Sequence, residues 1–199
     1  PGIGCLTQEL ALRYKKVVAV EIDKGLIPIL DKTLSEYDNV TVLNQDIMQT
    51  DIQELVDRYS GGLPVSVCAN LPYYITTPIL MRLLESGVHF NSITVMVQNE
   101  VASRLSAKPR SSDYGAITAV LGYYGVPRKL FRVSAGCFVP APKVDSAVVR
   151  IDLYKEPKYK PKDEKLFRNI IKGAFEMRRK TLVNALSAKF PEFSKEKLT

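Results

Sequence analysis

"LPVSVCANLPYYITTPILMRLLES", residues 63–86, decides the fold of this chain. Its first eight residues, 63–70, form a compact apolar run that reads as a strand ending on Asn70. Residues 77–86 carry a clear apolar face at helical spacing. Between them stand an asparagine, a proline and two tyrosines. A strand that passes through such a turn into a helix is half of a parallel crossover unit, and ligands of open parallel sheets bind beyond the carboxyl ends of the strands.

The same alternation extends to both sides. "KKVVAVEID" (15–23) reads as a strand, and "GLIPILDKTLSEY" (25–37) as a helix with Pro28 in its first turn. "NVTVLNQDI" (39–47) is a strand, and "QELVDRYS" (53–60) a helix stopped by Gly61 and Gly62. After the central stretch, "SITVMVQ" (92–98) is a strand and "NEVASRLSA" (99–107) a helix. This order predicts an α/β class with a mostly parallel sheet covered on both faces. From residue 123 two strand-like runs flank a proline-rich turn, which predicts an antiparallel pair at the sheet's edge. Residues 154–165 are charged and proline-bearing, as in a linker. Residues 166–190 are helical in two pieces. The predicted domains are 1–154 and 155–199.

Composition bounds the function. In 199 residues, 46% are hydrophobic, enough for a proper core. No apolar run spans a bilayer, and no signal-peptide pattern occurs. The chain opens on Pro1, so it is expected to start inside a longer protein. The net charge of +7 favours polyanionic partners such as nucleic acid. Cys5, Cys68 and Cys137 are far apart and form no C-x-x-C pair. This fits a reducing cytoplasm and argues against a disulfide scaffold or a metal site, with Cys68 read as a small core residue. His89 is the only histidine, which argues against a Ser-His-Asp machine.

Carboxylates and glycines mark the expected ligand side. "PGIG" (1–4) reads as part of a glycine-rich turn, where missing side chains let a ligand approach the backbone. Glu21 ends the next strand, close to the spacing at which an acid grips ribose hydroxyls. Asp46 repeats the feature one unit later and could accept from an adenine amino group. Together they suggest an adenosine-containing ligand, NAD or S-adenosylmethionine. Asn70-Leu71-Pro72-Tyr73 decides for the second. An adenine amine is a poor nucleophile because its lone pair is delocalised into the ring. Two acceptors, the Asn70 side-chain oxygen and a backbone carbonyl near Leu71, would favour a pyramidal nitrogen and aim its lone pair. An already activated methyl requires no strong base, so an uncharged asparagine suffices. Pro72 fixes the turn and Tyr73 can stack on the base.

"PGIGCLT", "VVAVEID", "NQDIM", "NLPYYITTPIL", "CFVPAPKVDSAVVR" and "AFEMRRKTLVNAL" closely resemble, in order, the KsgA (RsmA) family of ribosomal RNA adenine dimethyltransferases. The resemblance covers essentially the whole chain. It implies a Rossmann-like class I S-adenosylmethionine-dependent methyltransferase fold followed by the start of a small helical C-terminal domain. It implies transfer of two methyls to the amino nitrogen of each of two adjacent adenosines near the 3′ end of small-subunit (16S) rRNA; a cytoplasmic protein with no membrane attachment is expected from the composition, with a monomer as the default. Gly2, Gly4, Glu21, Ile22, Asp46, Ile47 and Asn70 then face the cofactor, and Asn70 to Tyr73 act on the target. The resemblance implies Phe138 as the second aromatic wall of the base pocket. Arg178, Arg179 and Lys180 are three adjacent cations that suit RNA phosphate, and the resemblance implies RNA contact there. The family also begins with a cofactor-closing segment and a mid-sheet strand ending in Glu-x-Gly, both absent here, so truncation is expected. The rivals are an Erm-type large-subunit rRNA methyltransferase, a protein-glutamine or DNA-adenine methyltransferase, and a non-catalytic ribosome-assembly factor. "TTPIL", "PAPKVDSAVV" and "RRKTLVN" favour the first-named family. Leu71 stands where protein-glutamine and DNA-adenine enzymes more often carry a proline.

Overall fold

Valines dominate the first two apolar runs, and both become strands, as suits β-branched side chains. β1 (Val17–Glu21) and β2 (Val40–Asn44) pair in parallel, Val17 opposite Val40 and Glu21 opposite Asn44. The computed structural model describes residues 1–156, 159–177, 179–193 and 195. The chain divides into two compact units, Pro1–Val97 and Gln98–Thr199.

In the first unit, α1 (Cys5–Ala11) packs on β1 and α2 (Ile27–Thr33) on β2. Pro28 lies in the first turn of α2, where its missing N–H is no loss. α3 (Ile52–Ser60) starts on Asp51, whose carboxylate accepts from the Glu54 amide at 2.9 Å. It ends on Gly61 at φ 58°, the left-handed cap that glycine favours. β3 (Val65–Asn70) and β4 (Phe90–Gln98) form a second parallel pair, with Asn70 opposite Met96. α4 (Thr76–Leu84) follows β3 and buries Ile79, Leu80, Leu83 and Leu84. β4 contributes the buried Phe90, Ile93, Val95 and Val97. Each such side chain contributes roughly 1.5–3 kcal/mol. This core anchors the strand ends that carry the polar residues.

The second unit holds α5 (Asn99–Leu105), α6 (Ala116–Tyr124), β5 (Gly125–Val133), β6 (Ser146–Leu153), α7 (Glu164–Glu176) and α8 (Leu182–Lys189). β5 and β6 are antiparallel, as expected, with a bulge between Lys129 and Phe131. Gly125 opens β5 where a Cβ would lie 2.5 Å from the Asp152 carbonyl oxygen. Close backbone approach, not a special φ, requires glycine there. The helical tail forms two pieces, α7 and α8, which pack together.

Three expectations change. α1 and α6 are helices that the sequence reading did not assign. The helix expected over 25–37 ends at Thr33, and Leu34–Tyr37 close a turn in which the Tyr37 amide donates to the Leu34 carbonyl. Cys68 is exposed, not core. Along β3, Val65, Val67 and Ala69 are half-buried, while Ser66, Cys68 and Asn70 share the exposed face. The run looks uniformly apolar, but the strand's period of two sets Cys68 in phase with its polar neighbours.

Candidate active site

Parallel pairing brings the carboxyl ends of β1 and β2 side by side. The Gln45 amide and the Asn44 side-chain amide both donate to the Glu21 carbonyl, at 3.0 and 2.8 Å. This ties Glu21 to the turn that carries Asp46.

The glycine turn packs against α2. Gly4 is buried at φ 99°, and a Cβ there would meet Thr33 Oγ1 at 2.9 Å. Thr33 Oγ1 donates to the Ile3 carbonyl at 3.0 Å, and Gln8 Nε2 donates to the Thr33 carbonyl at 2.7 Å. Gly2 differs. It is exposed at φ 62°, and a Cβ there would meet nothing within 4 Å. Gly4 thus seats the turn, and Gly2 leaves its outer face open.

Glu21 is held at both oxygens. Oε2 accepts from the Gly2 amide at 3.1 Å. Oε1 accepts from the Asp23 amide at 2.9 Å. Burial raises the pKa of this carboxyl while hydrogen bonds from the Asp23 and Gly2 amides lower it, and it lies below the usual value. Ile22, the next residue, is 64% exposed.

Asp46 caps its own turn: Oδ1 accepts from the Met48 amide at 2.8 Å. Its carbonyl accepts from the Gln49 and Thr50 amides, each at 2.9 Å, and from Thr50 Oγ1 at 2.8 Å. A cavity of about 390 Å³ opens beside it, lined also by Gln49, Glu54, Arg58 and Tyr59. That is within the range of small-molecule pockets. Gly2, Glu21 and Asn70 do not line this cavity.

The Asn-Leu-Pro-Tyr turn starts where β3 ends. Leu71 is buried, and its amide donates to the Met96 carbonyl of β4 at 3.2 Å. Pro72, at φ −58° and ψ 133°, turns the chain into a short 3-10 segment, Tyr73–Ile75. The Pro72 carbonyl is occupied, accepting from the Ile75 amide at 3.2 Å and from Thr76 Oγ1 at 3.1 Å. Among the described residues, no hydrogen bond reaches the Asn70 side chain or the Leu71 carbonyl. Both acceptors remain available to an incoming amine. Asn70 is exposed, Tyr73 half-buried and Tyr74 85% exposed. His89 precedes β4 and so lies at the opposite end of the β3–β4 pair from Asn70. No cluster able to hold a metal ion occurs among the described residues. No helix among them is long and apolar enough to cross a membrane.

In the second unit, Phe138 is half-buried in the loop between β5 and β6. Asp145, at the end of that loop, accepts from Arg132 Nε at 2.7 Å and from the Ala135 amide at 2.8 Å. These bonds, the Ala135 amide first, hold its carboxyl below the usual range. Arg179 and Lys180 are exposed in the turn between α7 and α8; Arg178 lies outside the described residues. Sequence reasoning missed Thr33, Asp145 and Arg82, a half-buried arginine on α4 whose side chain reaches the Asp46 turn. Asp145 had a signal, an acid entering a strand after a proline-rich loop. The other two had none that local pattern could supply.

The family model for ribosomal RNA adenine dimethylase matches residues 1–199. A "Ribosomal RNA small subunit methyltransferase A" from Alkaliphilus metalliredigens is 49% identical over 98% of this chain and 68% of its own length. One of the same name from Lachnoclostridium phytofermentans is 51% identical over 98% of this chain and 67% of its own length. The chain therefore spans about two thirds of these relatives. Among solved structures, a dimethyladenosine transferase from Plasmodium falciparum superposes with a TM-score of 0.80 at 26% identity, covering 96% of this chain and 67% of that one. The 23S rRNA methyltransferase ErmE gives 0.74 at 28% identity, covering 96% of this chain and 74% of that one. The α/β architecture is that of the class I methyltransferases, and the chain belongs to the ribosomal RNA adenine dimethylase family.

Proposed function

We propose that this chain is an S-adenosylmethionine-dependent rRNA adenine N6,N6-dimethyltransferase acting on adjacent adenosines of small-subunit (16S) rRNA. The observation that carries the reading is the turn after β3. Its Asn70 side chain and Leu71 carbonyl are unoccupied acceptors, while the neighbouring Pro72 carbonyl is tied back into the chain. Two acceptors on the two N–H bonds of an adenine amine favour a pyramidal nitrogen, whose lone pair leaves conjugation with the ring and is aimed at the methyl.

The residues at the other strand ends fit an adenosyl cofactor. Glu21, kept ionised by its amide donors, presents a carboxylate suited to ribose hydroxyls. Asp46 Oδ1 is spent on its own turn, which leaves Oδ2 as the acceptor for an adenine amine. Gly2 leaves room for close approach. When bound, S-adenosylmethionine supplies a methyl already activated by a sulfonium centre. Asn70 and Leu71 would position the amine nitrogen toward that methyl; as the N–C bond formed, the methyl's bond to sulfur would break with its electron pair left on a neutral thioether, and the methylated amine would shed a proton to solvent. Tyr73 stacks on the extruded base, which offsets part of the few kcal/mol of extracting it. Phe138 as a second stacking side chain, and Arg178, Arg179 and Lys180 as phosphate contacts, rest on the family resemblance. The small-subunit target is supported by the names of the relatives near 50% identity.

The test is methylation of separated, undermethylated ribosomal subunits with labelled cofactor, followed by identification of the labelled nucleoside. Dimethyladenosine in the small subunit alone is expected. Label in the large subunit would point to an Erm-type activity, and tight binding without label to an assembly factor. Asn70→Ala is expected to lower the rate about 10²–10³-fold, the scale of losing one preorganised polar group. Because Asn70 is exposed, its stability should shift by no more than about 0.5 kcal/mol. Surviving methylation would remove Asn70 from the mechanism.

A further inference from the structure

Arg82 connects the two halves of the site. It stands on α4, the helix that begins directly after the Asn70–Tyr73 turn. Its Nε donates to the Ile47 carbonyl at 3.0 Å and its Nη2 to the Thr50 carbonyl at 2.5 Å. Both carbonyls belong to the turn that carries Asp46. Within that turn the Asp46 carbonyl takes the Gln49 and Thr50 amides and the Thr50 hydroxyl, and Asp46 Oδ1 takes the Met48 amide. The Ile47 and Thr50 carbonyls are the ones Arg82 satisfies. Nε and Nη2 lie on one edge of a planar guanidinium, so a single rigid fork fixes both at once, which a lysine cannot do. Arg82 makes no ion pair among the described residues, so these two bonds are where its cation is engaged.

We propose that Arg82 is a positioning residue for cofactor binding: by clamping the 46–50 turn onto α4, it sets where the open Asp46 carboxylate oxygen points. This rests on the cofactor reading of Asp46 given above. Without the clamp the turn keeps its internal bonds and the Gln45 tie to Glu21 but loses its hold on α4, and Asp46 samples orientations that do not meet an adenine amine. The effect falls on cofactor affinity, not on the binding of RNA.

The test is calorimetric titration of the full chain with S-adenosylhomocysteine, for the unsubstituted protein and for Arg82→Ala, Arg82→Lys, Asp46→Asn and the Arg82→Ala/Asp46→Asn double variant. Arg82→Ala is expected to weaken binding about ten-fold, on the scale of a charged hydrogen bond. Arg82→Lys should recover part of the loss, since one ammonium can reach one carbonyl. In the double variant, Arg82→Ala should add little to the Asp46→Asn loss, because it acts through Asp46. Affinity for undermethylated small subunits should not change. Equal affinity of Arg82→Ala and the unsubstituted protein, or full additivity in the double variant, would overturn the proposal. If Arg82→Ala does not fold, Arg82→Lys decides: native melting with unchanged affinity would overturn it. No binding by the unsubstituted protein would overturn the cofactor reading itself, and this proposal with it.

Discussion

Replacing Gly4 by alanine tests how the glycine turn is built. Two strains are expected. At φ 99° an L residue pays roughly 1–2 kcal/mol in the left-handed region. The new Cβ would also sit 2.9 Å from Thr33 Oγ1, closer than carbon and oxygen tolerate. The hydroxyl can swing away only by giving up its 3.0 Å bond to the Ile3 carbonyl, about 0.5–1.5 kcal/mol. The expected destabilisation is about 2–3 kcal/mol, read as a shift in the urea midpoint at unchanged slope. Thr33→Ala alone should lose about 1 kcal/mol, the hydrogen bond. In the double variant that bond is lost only once, so its destabilisation should fall short of the two single effects together by about 1 kcal/mol. The turn also holds the Gly2 amide against Glu21, so Gly4→Ala should weaken cofactor binding as well. A Gly4→Ala protein within about 0.5 kcal/mol of the parent, the range of an ordinary surface substitution, or strict additivity in the double variant, would refute this account of the turn.

Glu21 should leave a mark on acid stability. A carboxyl held low in the folded state stabilises the fold at pH above its unfolded pKa, and that contribution disappears as pH falls through the folded pKa. Urea midpoints of the parent and Glu21→Gln from about pH 6 to about pH 3 should therefore converge on acidification; parallel curves would count against the two amide bonds. Tyr73→Ala should slow methylation by about 5- to 150-fold, matching roughly 1–3 kcal/mol of stacking, whereas Tyr73→Phe should keep most of the rate. A Phe variant as slow as the Ala variant would assign the role to the hydroxyl. Neutralising Arg178, Arg179 and Lys180 together should weaken small-subunit binding and flatten its dependence on salt. Identical binding at several salt concentrations would remove this cluster from the interface.

Local pattern carried much of this protein. Alternating apolar runs and helical faces specified the parallel pairs, and the two strand-like runs around a proline-rich turn specified the antiparallel pair. Pro28 and Gly61 act where their own backbone geometry puts them. Glu21, Asp46 and Asn70 were legible as site candidates because strand ends can be counted along the chain. What the sequence could not determine are facts about neighbours distant in the chain. Gly4 reads as a ligand-lining glycine, and only the fold shows that a side chain there would meet Thr33 of α2. Cys68 looks buried until the phase of β3 sets it beside Ser66 and Asn70. Arg82 reads as an ordinary polar residue on an amphipathic helix. Only folding sets its guanidinium against the Ile47 and Thr50 carbonyls, because hydrogen-bond partners are chosen by proximity in space.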